Sequence, residues 1–340
     1  MLQSTTELVS LADIQAARER IRSAARVTPL LEVTGPPTPD SRLPGPVTFL
    51  VKCENLQPMG AFKIRGAFNM LSQLTPEQRS RGVITYSSGN HGQAVALAAR
   101  TLGGPAVIVM PTTAPAVKVD GAKSYGAEVI FEGRTSSERR ARAEREAAAR
   151  GLTMVPPFDH AWIVAGQGTA GLEILEQRPD TGTVFVPVGG GGLLAGVAAA
   201  VKLSRPAVRV VAVEAEGAAK MKRSIDAGQP VTLDAVATIA DGLMPVRPGD
   251  LTFAHAQRFV DEFVTVSDAQ IAAAVAWLFR HARLVVEPSG AATTAAVLAG
   301  LGHADPAAGS MVAVVSGGNV APDAFARYVT GEASAPPRPR

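Results

Sequence analysis

Cysteine is nearly absent. Cys53 is the only one in 340 residues, so no disulfide can form within the chain. Long apolar runs are missing too, although 46% of the residues are hydrophobic, enough for a sizeable core. Neither sign of charge dominates: 33 basic residues face 30 acidic ones, a net charge of +3, and the basic residues are spread along the chain. The one Arg-dense segment, 137–150, interleaves Glu138, Glu144 and Glu146, which reads as a solvated helix face rather than a nucleic-acid patch. Residues 1–10 are polar and lack the apolar stretch of a secretory signal. His160 and His281 have no partners at metal-ligating spacing. These absences predict a soluble cytoplasmic protein with neither nucleic acid nor membrane as partner.

What is present alternates. Short β-rich runs at 47–51, 82–86, 106–110, 128–131, 183–188, 208–213, 263–266 and 311–315 are separated by helical stretches rich in Ala, Leu and Arg. Several of these runs are apolar throughout, as in strands covered on both faces. The alternation predicts an α/β protein with parallel sheets, in two layers of unequal size. Ser10 with Asp13 three residues on predicts a helix start, and Leu11, Ile14, Ala17, Ile21 and Ala24 follow at helical spacing until residues 26–29 end it. Residues 34–46, dense in Pro and Gly, predict a surface loop, and the Pro/Arg-rich 333–340 predicts a disordered tail. Cys53, between Lys52 and Glu54 on a strand, reads as packing rather than as a nucleophile. Trp162 and Trp277 read as core or interface residues.

Four loops carry candidate chemistry. In the first, Lys63 follows a Pro/Gly turn and is flanked by Phe62 and Ile64. Burial would lower its pKa and leave an amine able to attack a carbonyl, although an apolar-flanked lysine is more often a surface residue with a packed stem. The second loop, Ser87-Ser88-Gly89-Asn90-His91-Gly92, leads from a strand into a helix predicted over 93–100. A helix start there suits a carboxylate or phosphate, or the Ser and Asn merely cap. The third is the run Gly189-Gly190-Gly191-Gly192, again between strand and helix, whose backbone can approach a phosphate closely. Gly190, Gly192 and Ala195, with Glu214 ending the next strand, also satisfy the loose pattern of a dinucleotide-binding dehydrogenase. The fourth is Ser316-Gly317-Gly318-Asn319, at the carboxyl end of a predicted strand.

In this order and at these separations the four loops resemble those of fold-type II pyridoxal-phosphate enzymes, most closely the threonine/serine dehydratase and serine racemase family. The resemblance runs from about residue 10 to 321 and takes in Ala165-Gly166-Gln167-Gly168-Thr169 and Ile239-Ala240-Asp241-Gly242. It sets the dehydrogenase reading aside, since a dehydrogenase has no use for the other three loops together. It implies two open, twisted parallel-sheet α/β domains of the tryptophan synthase β type. The larger comprises 1–80 and 158–332, and a smaller one, 81–157, is inserted into it. It implies that Lys63 carries pyridoxal 5'-phosphate covalently, with Phe62 beside the ring, Asn90 on the 3'-oxygen, Gly189, Gly190, Gly191 and Gly192 around the phosphate, and Ser316 facing the pyridine nitrogen. Ser87, Ser88, Asn90 and His91 would hold the substrate carboxylate. Freed Lys63 would remove the Cα proton, and Ser88 would serve the opposite face in a racemase.

The activity implied is L-threonine/L-serine dehydration to a 2-oxo acid and ammonia. The alternatives are serine racemisation, or dehydration of phenylserine, hydroxyaspartate or an ectoine-pathway intermediate. A ligand-binding protein that kept the fold is a further alternative, one that would not need Lys63, Ser88, Asn90 and Ser316 together. A homodimer is expected. Little chain follows the Ser316 loop, which predicts no regulatory domain and a catabolic role. Ala61 stands where many members have serine, and Glu287 is a candidate near the cofactor ring. One departure is larger. Related racemases bind a divalent cation through a Glu, a backbone carbonyl and an Asp. Glu214 and Ala218 fit the first two positions, but the third is Lys220, so no metal site is expected and Lys220 would pair with Glu214 instead.

Overall fold

The computed structural model describes residues 7–87, 89–114, 116–303 and 308–332. The tail predicted at 333–340 lies outside them. Among the described residues, ten strands form two sheets. The six-stranded sheet runs β1 (Leu30–Gly35), β2 (Val47–Cys53), β10 (Ser310–Val315), β7 (Thr181–Pro187), β8 (Arg209–Ala215), β9 (Glu262–Val266). Only the β1–β2 pair is antiparallel. The four-stranded sheet runs β5 (Glu128–Phe131), β4 (Ala106–Met110), β3 (Val83–Tyr86), β6 (Thr153–Met154), all parallel. Its strands all fall between Val83 and Met154, so the chain leaves the larger sheet after β2, builds the smaller one, and returns.

The larger sheet is covered on both faces, and its side chains alternate between two cores. Val184, Val186, Val312 and Val314 join Ile14, Val164 and Leu194 on one face. Phe185, Ala313 and Val315, one step along the same strands, join Phe49, Val211 and Trp277 on the other. This is the period-two alternation of a pleated strand. It explains why these strands read as continuous apolar runs: both phases are inside. Each such side chain contributes roughly 1.5–3 kcal/mol by leaving water. Cys53 belongs to the second core, and burial pushes its thiol up to about 12, so it packs and does not react.

All eight predicted strand runs coincide with strands. The two unforeseen strands are β1 and the two-residue β6. Ser10 and Asp13 form the expected reciprocal cap of the helix Leu11–Ile21. That helix ends earlier than its apolar spacing suggested. The Gln57 side chain accepts from Arg26 N and donates to Arg26 O, both at 2.9 Å, and draws the chain out of helical geometry. The Arg-dense segment is the helix Ser136–Arg150, where Arg140, Arg142 and Arg150 pair with Glu144, Glu146 and Glu128. Among the described residues no helix is long and apolar enough to cross a membrane.

The helix Ala161–Gln177 packs closely on two neighbours. A Cβ at Gly166 would lie 2.6 Å from Arg65 O, and one at Gly196 would lie 2.3 Å from Val164 O. The Ala165–Thr169 stretch therefore lets the helix that follows Lys63 and the helix that follows the glycine run sit on one common support.

Candidate active site

Three of the four loops are stitched together, the first and fourth through their main chains. Beyond β2 the chain makes a short turn, Glu54–Leu56, and reaches Lys63 at the start of the helix Ile64–Ser72. Ala61 bridges to Gly317, Phe62 N donates to Ser316 O at 3.1 Å, and Gly318 N donates to Gly60 O at 2.9 Å. Asn319 Nδ2 donates to Met59 O and to Asn90 Oδ1, each at 2.9 Å, which brings in the second loop. Gly60 has φ +78°, and a Cβ there would fall 2.4 Å from Asn319 Oδ1, so both the backbone conformation and the space call for glycine.

The third loop joins through a segment that the sequence reading did not single out. Lys63 Nζ donates to Pro157 O at 2.7 Å. The next residue, Phe158, packs on Gly190 so closely that a Cβ there would lie 2.2 Å from its ring. Asp159 then accepts from the backbone N–H groups of Asp250, Leu251 and Thr252 at the start of the helix Asp250–Phe259. Thr252 Oγ1 donates back to Gly190 O at 2.7 Å. The glycine run opens the helix Gly192–Ser204, whose first N–H groups have no partner within the helix and whose dipole favours an anion. Gly191 has φ +99°, and a Cβ there would lie 2.8 Å from Met221 Cε. A phosphate-sized anion fits this donor set, and Lys63 is linked to it by two consecutive residues, Pro157 and Phe158.

The second loop enters its helix at Asn90, earlier than predicted, because Gln93 N already closes a turn on Gly89 O at 3.1 Å. Asn90 and His91 thus lie in the first turn of the helix Asn90–Leu102. Ser87 Oγ accepts from Gly89 N at 3.1 Å. Ser88 lies outside the described residues. Ser316 is buried, with its hydroxyl 3.5 Å from Ser289 O.

Electrostatics sorts the titratable groups. Desolvation alone lowers the Lys63 ammonium to about 8, so a substantial fraction is neutral near physiological pH. Burial, reinforced by Lys63, lowers His91 to about 3. This imidazole is neutral, with Nε2 3.2 Å from Val155 O and Nδ1 buried without a partner. Glu287 is pushed up to about 7, chiefly by desolvation, against the pull of Lys118. Its Oε1 accepts from Asn90 Nδ2 at 2.5 Å, while Oε2 is buried without a hydrogen bond, 3.8 Å from Lys118 Nζ. Lys118 also pairs with Asp241. It comes from the helix Ala116–Ser124 beside the smaller sheet and reaches residues of the larger layer. No sequence signal distinguished Lys118: its helix has no clear apolar stripe to show which face is inside.

Behind Lys63 lies a buried charge network. Arg65 holds Glu54 at 2.7 and 2.8 Å and Glu173 at 2.7 and 2.8 Å, and Lys52 meets Glu173 at 2.6 Å. All four side chains are essentially inaccessible, and the two cations and two anions balance. The network ties the first turn of the Lys63 helix to β2 and to the helix Ala161–Gln177.

Comparison with known proteins agrees with this geometry. Over 274 residues, 81% of its length, the chain is 46% identical to the biosynthetic L-threonine dehydratase IlvA of Escherichia coli, of which it spans only about half, 52%. It is 41% identical over 319 residues to the L-threonine ammonia-lyase of Thermotoga maritima, covering 92% of this chain and 76% of that one. Among solved structures, maize serine racemase superposes with a TM-score of 0.84 at 36% identity, covering 96% of this chain and 98% of that one. Residues 21–317 match the family model described as pyridoxal-phosphate dependent enzyme, and on that span, which includes the first three loops and the start of the fourth, this chain belongs to the pyridoxal-phosphate-dependent enzymes of fold type II.

Proposed function

We propose that the chain is an L-threonine/L-serine dehydratase, converting a β-hydroxy amino acid to a 2-oxo acid and ammonia. The observation that carries this reading is Lys63. It is a lysine lowered to about 8 with no carboxylate to hold its proton, set where the asparagine, serine and glycine loops meet. The threonine dehydratase and ammonia-lyase names of its relatives support the same choice.

In this reading Lys63 holds pyridoxal phosphate, Gly189 to Gly192 hold its phosphate, Phe62 lies beside its ring, and Asn90 and Ser316 meet its polar edge. When bound, the cofactor supplies the electron sink that acidifies the substrate Cα–H. The residues do the rest. The N-terminus of the helix Asn90–Leu102, with Ser87 and Ser88, attracts the substrate carboxylate. His91 is neutral and adds polarity but no charge. Glu287 orients the Asn90 amide through their 2.5 Å hydrogen bond. Lys63, as a neutral amine, takes the Cα proton, and that proton, passed on to the β-hydroxyl, lets it depart as water. The enamine left behind hydrolyses to the 2-oxo acid and ammonia. Closure of a small domain, 81–157, over the rest would keep water from the reacting atoms. A cytoplasmic homodimer belongs to the same reading.

Likeness to maize serine racemase favours a second activity, reprotonation of Cα from the opposite face by Ser88. The test is an absorbance spectrum of the purified protein, then addition of L-threonine and L-serine with 2-oxo acid detection and chiral analysis. A visible cofactor band with oxo-acid release supports dehydration. A band with D-serine and no oxo acid would replace dehydration with racemisation. In a dehydratase, Ser88→Ala largely spares oxo-acid formation from the L-substrate.

A further inference from the structure

Lys220 is fully buried, and its ammonium sits in a shell of oxygens. Nζ donates to the main-chain carbonyls of Val188 at 2.8 Å, Ala218 at 3.0 Å and Leu243 at 3.0 Å, and Glu214 Oε1 lies 3.2 Å away. Three N–H donors thus meet three carbonyls, while the carboxylate supplies the compensating charge. Glu214 is itself held in place, accepting from Met221 N at 2.9 Å and Lys222 N at 2.8 Å. A buried charge persists only with compensation of this kind.

A shell of one carboxylate and three carbonyls, with no nitrogen or sulfur, is the donor set that a hard metal cation takes. Its oxygens come from separate segments. Val188 immediately precedes the glycine run. Leu243 follows Gly242, whose carbonyl would lie 2.6 Å from a Cβ at Gly189. Ala218 belongs to the turn Glu216–Ala218 beyond β8. The ammonium therefore fastens the root of the glycine loop to its two neighbours.

We infer that the Lys220 ammonium is a resident cation, supplied covalently by the chain, that replaces a dissociable metal ion in fixing the glycine loop. The inference rests on the reading of that loop as the phosphate cradle. A dissociable ion stabilises in proportion to its occupancy, so its effect follows its concentration. A tethered ammonium is always present, and the protein does not respond to divalent cations or chelators.

The experiment compares wild type, Lys220→Met and Lys220→Asp after dialysis against a chelator, with and without millimolar Ca²⁺ or Mg²⁺. The readouts are the melting temperature of the cofactor-free protein and the affinity for pyridoxal phosphate followed by absorbance. Wild type is expected to stay within about twofold in affinity across all conditions. Lys220→Met, which keeps the bulk and removes the charge, is expected to melt lower and to lose about tenfold or more in affinity. Lys220→Asp adds a second carboxylate to the shell. It is expected to be as impaired in chelator and to recover both readouts with Ca²⁺. A wild type activated by Ca²⁺ or Mg²⁺, or a Lys220→Met protein as stable and as tight-binding as wild type, would overturn the inference. If Lys220→Asp fails to fold, the wild-type and Lys220→Met arms decide alone. Neither readout depends on the reaction catalysed. A protein that binds the cofactor yet dehydrates nothing would refute the proposed activity and leave this test standing.

Discussion

Lys63 and Lys118 come from different helices and end in opposite states. Lys63, at the start of the helix Ile64–Ser72 that follows β2, is desolvated and faces only a carbonyl, and its ammonium falls to about 8. Lys118, beside the smaller sheet, is desolvated too, but Glu287 and Asp241 outweigh that effect and raise it. Burial alone does not decide whether a lysine is an amine or an ammonium; a carboxylate within reach does. The buried carboxylates of the site and of the network behind it are committed elsewhere: Glu54 and Glu173 to Arg65 and Lys52, and Glu287 to Asn90 and Lys118.

The sharpest way to break the contrast is to delete the amine. Lys63→Ala is expected to lose at least about 10²–10⁴-fold in oxo-acid formation, the usual worth of a general base, together with the visible cofactor band. Lys118→Ala, on the opposite wall, should keep the band. Next is the network behind Lys63. Arg65→Met leaves the buried Glu54 carboxylate without its paired cation, while Glu173 keeps only Lys52, and should cost about 3–5 kcal/mol in denaturant unfolding. A loss below about 1 kcal/mol would show that water reaches the network. The third is pH. Cofactor capture needs neutral Lys63, so its rate should fall about tenfold per unit below about pH 8 and level off above it, as read by stopped-flow absorbance. A rate that keeps rising through pH 9 without levelling would mean that a carboxylate or solvent reaches Lys63 after all. Smallest is Asp241→Asn. Asp241 is well exposed, so loss of its pairing with Lys118 should cost only about 0.2–1 kcal/mol, and less in high salt.

Much of this was legible in the sequence, for identifiable reasons. Strands covered on both faces announce themselves as unbroken apolar runs, and strand-to-helix glycine loops mark where such sheets bind ligands. β1 escaped notice because Leu-Leu-Glu-Val-Thr-Gly on an edge, running into a Pro-rich loop, does not alternate cleanly. β6 has only two residues, too few for any period. The four loops were visible as motifs, but what joins them was not. Pro157 contributes a carbonyl, and Phe158 acts by stacking on a glycine, neither of which leaves a pattern. Lys52, Glu54, Arg65 and Glu173 look in sequence like ordinary surface charges, since such residues are almost never buried unless paired, and the pairing spans more than a hundred positions. The Lys220–Glu214 pairing was foreseeable because the lysine stood where an acid was expected.

The order of strands also sets a timetable for synthesis. One neighbour of β2 is β10, with Leu50 opposite Val312, so the larger sheet stays split until the ribosome has passed Val315. The four strands of the smaller sheet are complete by Met154 and can pair while translation continues. Ser316, Gly317 and Asn319, which close around the Lys63 turn, emerge after all ten strands. The nascent chain therefore carries a lysine of ordinary basicity, and its reactive amine is created only after the last strand of the larger sheet has been made.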